Sequence, residues 1–196
     1  MAKLISENVT GGNYLTQHEP SPPLYCWLRK KDGSWQFCAD YRGLNIITIC
    51  DRFPIPTVGE LLDELHEATV FSKLDLRAGY HQIPVAPEDI YKTAFRTVDG
   101  YFEFLVMPFG LTNAPSAFQA IINNMFHPIF RRFVLVFFDN ILVYNPSSPS
   151  HLQRLTTILQ VLQSNSLYAK LPKCCFSVPS VDYLGHVIFE VGVSID

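Results

Sequence analysis

The sequence predicts an α+β fold, an antiparallel sheet with helices on one face. Three observations lead there. Short β-prone runs come in pairs around turn signals, as at 133–144, F-V-L-V-F-F-D-N-I-L-V-Y, and around Asp99-Gly100. Two stretches, within 113–130 and 152–162, repeat apolar residues at helical spacing. The order strand, helix, strand, helix, strand hairpin, helix, strand lays those helices over one sheet.

Taken in order, residues 1–23 are polar, carry Gly11-Gly12 and Pro20, Pro22 and Pro23, and read as a loosely ordered leader. Apolar runs at 24–28 and 35–41 flank Arg29-Lys30-Lys31-Asp32-Gly33-Ser34, a hairpin with a positive tip. Thr57-Val58-Gly59-Glu60 has the capping-box pattern, and Val58, Leu61, Leu62 and Leu65 follow at helical spacing, so a short helix starts near Pro56. Residues 70–76 read as a strand with Asp75 near its end. A hairpin over 93–106 turns at Asp99-Gly100. Ala114, Ala117, Phe118, Ile121, Ile122, Met125, Phe126 and Ile129 make the clearest helical stripe, with Asn113 placed to cap and Pro115 in the first turn. In the hairpin at 133–144 the dipeptide Asp139-Asn140 reads as the two-residue turn, since both side chains tolerate positive φ. A second amphipathic helix follows on Leu152, Leu155, Leu159 and Leu162, and a last strand pair lies at 173–178 and 183–188.

Composition narrows the function classes. With 196 residues, 48% of them hydrophobic, the chain has enough apolar surface for a substantial core. A formal charge of -3 argues against a uniformly basic nucleic-acid binder but leaves room for local basic clusters. The five cysteines show no framework or zinc-ligand spacing and read as reduced thiols. No secretory leader and no membrane-length apolar run is present, so the expectation is an intracellular, cytoplasmic chain.

Asp75 and Asp139 stand out as acids at the ends of predicted strands in apolar surroundings. Paired carboxylates suit phosphoryl transfer with two Mg²⁺ ions about 3.5–4 Å apart. Spacing alone also fits a capping aspartate at 75 and an ordinary turn at 139.

Seven phrases in series go further: D-G-S-W-Q-F-C-A-D-Y-R-G-L-N, F-P-I-P-T, F-S-K-L-D-L-R-A-G-Y-H-Q-I, K-T-A-F-R-T, F-L-V-M-P-F-G-L-T-N-A-P-S-A-F-Q, V-F-F-D-N-I-L-V-Y and Y-L-G-H-V-I. Together they resemble the reverse transcriptases of gypsy-type LTR retrotransposons, of plant character, from about Lys30 to the end of the sequence. The resemblance implies the fingers and palm of a right-hand polymerase over 24–196, copying an RNA or DNA template from a primer with dNTPs. It implies Asp75 and Asp139 as ligands of two Mg²⁺ ions, with Mn²⁺ as a substitute, and Tyr80 as the aromatic that excludes a 2′-hydroxyl. It implies Phe109 and Gly110 against the incoming base and template, and Lys30, Lys31, Gln36 and Lys173 around the triphosphate. Tyr183, Leu184, Gly185 and His186 match the primer-grip hairpin.

Three departures from the family pattern bear on activity. Asn140 stands where the family has a second aspartate, removing a negative charge from the catalytic group. Gln36 replaces an arginine and loses its planar, charged fork. The N-terminal part is irregular, and the expectation is a fingers and palm module with thumb and RNase H absent. The expectation is a polymerase module with weakened catalysis. The alternative is a non-catalytic palm scaffold that binds nucleic acid or protein.

Overall fold

The apolar runs become strands and helices close to where the sequence puts them, in a computed structural model that describes residues 25–29, 33, 35–65, 67–190 and 192–195. In chain order the elements are β1 (Tyr25–Arg29), β2 (Trp35–Ala39), α1 (Arg42–Ile47), α2 (Val58–Leu62), β3 (Val70–Asp75), β4 (Phe95–Thr97), β5 (Gly100–Phe102) and α3 (Ala114–Phe126). There follow β6 (Val134–Phe137), β7 (Asn140–Asn145), α4 (Ser148–Ser164), β8 (Cys175–Val178), β9 (Ser180–Tyr183), β10 (His186–Phe189) and β11 (Gly192–Ile195). Two compact units result. The described residues up to Phe53 form one with Ile83–Phe118, and Pro54–Gln82 form the other with the described residues from Gln119 onward.

In the first unit β1 and β2 pair antiparallel, Tyr25 opposite Ala39 and Arg29 opposite Trp35. The expected basic tip with Lys30 and Lys31, and the leader over 1–23, lie outside the described residues. Phe37 gathers an aromatic cluster, its ring 5.5 Å from Tyr25, 5.1 Å from Trp27 and 5.0 Å from Phe95. Tyr41 is buried and donates its hydroxyl to the Thr93 carbonyl at 2.9 Å. The second hairpin pairs Thr97 with Gly100, so its turn is Val98-Asp99, one residue earlier than the Asp99-Gly100 expected. The Thr97 hydroxyl, accepting from the Asp99 N–H at 3.1 Å, closes the turn at that point.

The second unit is built on a four-stranded antiparallel sheet in the order β6-β7-β3-β8. Because side chains alternate along a strand, the register sorts them onto two faces. Phe71, Leu135, Leu142 and Tyr144 pack on one face with Leu61 and Leu65, and with Val181, Tyr183 and Ile188 of β9 and β10. Burying each of these large side chains contributes about 1.5–3 kcal/mol before the entropy of ordering is subtracted. The capping box forms as read: the Thr57 hydroxyl accepts from Glu60 N–H, and the Glu60 carboxylate accepts from Thr57 N–H at 2.7 Å.

On the opposite face α4 crosses β7, β3 and β8. Its buried stripe is His151, Leu155, Ile158 and Leu162, while Leu152 and Leu159 point outward. Leu155 and Leu162 are buried as the leucine pattern expects, but at 151 and 158 the stripe takes the residue before the expected leucine, and at 151 the residue that meets the sheet is polar. Ser72 Oγ lies 2.7 Å from His151 Nε2, and Asn145 donates through Nδ2 to His151 Nδ1 at 2.9 Å. Ser72 Oγ also accepts from the Ser177 N–H at 2.9 Å, so one network spans α4 and three strands.

α3 ends at Phe126, short of the stripe that reached Ile129. The Asn113 side chain, expected as its cap, instead accepts from Asp51 N–H at 2.9 Å and donates to the Ile49 carbonyl at 2.8 Å. The last strands are also rearranged. Residues 175–178 join β3, whereas β9, β10 and β11 form a separate three-stranded sheet. The pair of 173–178 with 183–188 therefore does not exist; β10 pairs with β9 across Leu184-Gly185.

Candidate active site

The central hairpin sets the site. Phe137 pairs with Asn140, so the two turn residues are Phe138 and Asp139, not Asp139 and Asn140 as the dipeptide suggested. Asn140 is instead the first residue of β7, in register with Asp75 at the end of β3. Phe138 takes a positive φ of 52°, unusual for an aromatic residue and found at the turn position that commonly takes glycine.

Gln119 of α3 holds this turn from behind. Fully buried, it accepts from the Phe138 N–H through Oε1 at 2.8 Å and donates through Nε2 to the Val136 carbonyl at 3.1 Å. Nothing in the hairpin's own sequence shows this. The signal lies 19 residues earlier. A lone glutamine inside the apolar run A-F-Q-A-I-I must find buried partners.

Backbone bonds then fix the strand ends. Leu76 N–H donates to the Asp139 carbonyl at 2.8 Å, and Lys170 N–H to the Asp75 carbonyl at 2.7 Å. Gln82 sews the following loop to the chain at Tyr168, donating to its carbonyl at 3.1 Å and accepting its N–H at 2.6 Å. Three segments distant in sequence thus end side by side, bringing Asp75, Asp139 and Asn140 together as expected.

The electrostatics follow from that arrangement. Asp75 is largely buried, and its Oδ2 lies 3.4 Å from the Lys173 ammonium, which is half-exposed. Asn140 donates through Nδ2 to Asp139 Oδ1 at 3.1 Å, so its amide partly offsets the neighbouring carboxylate. Tyr80 is half-buried in the loop after β3. Its hydroxyl is held protonated to higher pH than usual, first by burial and then by the negative charge of Asp139. Tyr183 is buried with its hydroxyl 3.4 Å from the Asn140 carbonyl, and burial raises its pKa strongly. Leu184 and Gly185 make a tight turn with φ of 53° and 80°, and His186 begins β10.

Phe109 and Gly110 belong to the first unit. Gly110 has φ of 99°, and a Cβ there would meet the Ala39 carbonyl oxygen at 3.2 Å, so the position calls for glycine on both counts. Asn45 clamps the loop, donating to the Gly110 carbonyl at 2.8 Å and accepting from Thr112 N–H at 2.9 Å. Gln36 lies on β2 opposite Leu28, and its side chain is outside the described residues.

The donor set suits a hard cation that arrives with its substrate. Among the described residues, no three His, Cys, Asp or Glu side chains cluster closely enough to hold a metal ion by themselves. Asp75 and Asp139 with the Asn140 amide oxygen offer two carboxylates and a neutral donor, a set that fits Mg²⁺ when phosphate oxygens complete the shell. Among the described residues no helix is long and apolar enough to cross a membrane.

Known proteins share this fold. The family model for "Reverse transcriptase (RNA-dependent DNA polymerase)" matches residues 28–188. The chain is 38% identical over 194 residues to the retrovirus-related Pol polyprotein from transposon 297 of Drosophila melanogaster, covering 96% of this chain and 18% of that protein. It is 36% identical over 166 residues to the transposon Tf2-7 polyprotein of Schizosaccharomyces pombe, covering 85% of this chain and 12% of that one. The chain thus spans less than a fifth of these relatives. Among solved structures, the foamy viral protease-reverse transcriptase in complex with an RNA/DNA hybrid superposes with a TM-score of 0.81 at 22% identity, over 89% of this chain and 23% of that one. The same viral protein with double-stranded DNA gives a TM-score of 0.83 at 22% identity, over 92% and 37%. These likenesses establish the fold, the fingers and palm of a reverse transcriptase.

Proposed function

The chain belongs to the reverse transcriptase family, and on that premise we propose that it is the RNA-directed DNA polymerase module of a retrotransposon polyprotein, with catalysis weakened by Asn140. The observation that carries this reading is the register that sets Asp75 opposite Asn140 and beside Asp139 at one end of the sheet. The motif series supports the narrower assignment to the gypsy type and to a plant element. Two structural neighbours in complex with an RNA/DNA hybrid and with double-stranded DNA support a template-primer duplex as the partner. In an intact element the module would work inside the cell, within the particle.

In the mechanism that this arrangement supports, Asp75 and Asp139 would hold Mg²⁺ together with the triphosphate of a dNTP. The ions, when bound, supply the neutralising charge that activates the primer 3′-hydroxyl and steadies the departing pyrophosphate. Lys173, whose ammonium lies 3.4 Å from Asp75 Oδ2, would turn to the triphosphate. Tyr80 would sit beneath the sugar, and the hairpin at Tyr183, Leu184, Gly185 and His186 would hold the primer end. Lys30, Lys31, Gln36, Phe109 and Gly110 would receive the triphosphate, base and template from the fingers. Asn140 keeps the bulk of an aspartate but withholds its charge, which loosens metal binding.

Asn140 also motivates a second reading, a palm scaffold that binds nucleic acid or protein without catalysis. Primer extension separates the two. The purified chain is assayed with Mg²⁺ and with Mn²⁺ beside Asn140→Asp and Asp75→Ala. Weak extension that rises in Asn140→Asp and vanishes in Asp75→Ala is expected. Extension unaffected by Asp75→Ala would overturn the site, and none from the Asn140→Asp form would favour the scaffold.

A further inference from the structure

None of the roles above uses a cysteine, yet two of the five meet across the first hairpin. Cys26 on β1 lies directly opposite Cys38 on β2, on a ladder that runs from Tyr25 and Ala39 to Arg29 and Trp35. Among the described strands no other two cysteines are paired in register. Alternation along the strands sends both side chains to one face. The other face carries the packed rings of Tyr25, Trp27 and Phe37 and the buried Ala39. Cys26 is exposed, as is Leu28 on the same face, and Cys38 is partly exposed. Both thiols are reduced.

Opposite residues of an antiparallel pair have Cα atoms about 4.5 Å apart where they exchange no hydrogen bonds and about 5.5 Å apart where they do. A disulfide spans Cα separations of about 4.4–6.8 Å, so either kind of pair admits one. The Cβ atoms must close by roughly 1 Å from the usual cross-strand spacing. Among the described residues β1 and β2 form a sheet of two strands alone, and such ribbons twist over a wider range than larger sheets. An exposed link that needs this closure is readily reduced, which suits a reversible bond better than a permanent one.

We propose that Cys26 and Cys38 are a dithiol site that exchanges with small disulfides and closes reversibly into a cross-strand disulfide. Cys26, the more exposed, attacks as thiolate one sulfur of the small disulfide, forming a mixed disulfide and releasing one small thiolate. The Cys38 thiolate then attacks the Cys26 sulfur and releases the second. The cysteine pair gives up two electrons and two protons; the small disulfide takes the electrons, and the protons end on the two small thiols. The link ties together the strands that lead to the basic segment at 29–31. It is independent of the polymerase reading.

Peptide mapping provides the test, because trypsin cuts at Arg29, Lys30 and Lys31 and so leaves Cys26 and Cys38 in separate peptides, 4–29 and 32–42. The full chain is equilibrated in buffers of rising oxidised-to-reduced glutathione ratio, alkylated with N-ethylmaleimide and digested without reduction. The two peptides joined, lacking two hydrogens, are expected to accumulate with the ratio and to separate in dithiothreitol. Because the fold holds the two thiols at high effective concentration, this link should exceed any other cysteine pairing by about tenfold, and should fall by a similar factor in denaturing urea. Cys26→Ser and Cys38→Ser should each leave the remaining thiol as a glutathione adduct. In the unmodified chain, adducts on Cys26 and Cys38 without the link, or a link formed equally well in urea, overturn the proposal without reliance on the variants.

Discussion

Asp75 and Asn140 stand opposite each other across β3 and β7, and the Asn140 amide is turned to Asp139, which accepts from its Nδ2 at 3.1 Å. A neutral residue at 140 thus spares this strand end a third negative charge. Two carboxylates directly opposite would repel, with a third beside them.

Asn140→Asp should accordingly lower stability by about 1–2 kcal/mol in a chelator, through lost hydrogen bonding to Asp139 and added repulsion. Added Mg²⁺ should return more stability to the variant than to the parent, by mass action on the folded state. Urea unfolding with EDTA and with Mg²⁺ checks both expectations.

Gln119 should prove more important than its distance in sequence from the acids suggests. Gln119→Leu leaves the Phe138 N–H and the Val136 carbonyl buried without this partner. A loss of about 2–4 kcal/mol is expected. Gln119→Glu keeps the acceptor for Phe138 and should recover part of the amide protection there, as read by hydrogen exchange.

His151 gives a pH dependence whose sign is fixed by its setting. Burial and then the charge of Arg154 hold its pKa below the usual 6.5. The unfolded chain therefore binds more protons in the window between the folded value and about 6.5, so this stability is full above that window and is lost as pH falls through it. Protonating Nδ1 would also displace the bond from Asn145. Denaturant unfolding at pH 7.5 and at pH 5 should show a steeper loss for the parent than for His151→Gln.

Ser166 closes α4 with φ of 55°. Its N–H donates to the Gln163 carbonyl at 3.1 Å and that of Leu167 to the Leu162 carbonyl at 2.9 Å, a Schellman ending that ordinarily carries glycine. Because Ser166 is exposed, Ser166→Gly should raise stability by about 0.5–1 kcal/mol, seen as a higher urea midpoint at an unchanged m value.

The elements legible in the sequence are those encoded locally. The capping box at Thr57, the strand ending at Asp75 and the stripe of α3 all depend on residues within a turn or two of each other. What could not be read was set from afar. The central turn shifted by one residue because β7 extends its pairing to meet Asp75 and Gln119 grips Phe138. The α4 stripe runs through His151 because Ser72 and Asn145 await it across the sheet, and Asn113 left its cap to hold residues 49–51. The two aspartates could be named from their strands, whereas the bonds that set them side by side join segments about sixty to a hundred residues apart.

Those bonds run through peptide groups: Leu76 to Asp139, Lys170 to Asp75. Placement at this strand end thus draws on main-chain bonds that the side chain at position 140 does not make. Codons for asparagine and aspartate differ at a single base, so the uncharged form and the fully acidic one are a point mutation apart on the same frame. A single base change thus adds or removes a carboxylate at this strand end without touching the peptide groups that make those bonds.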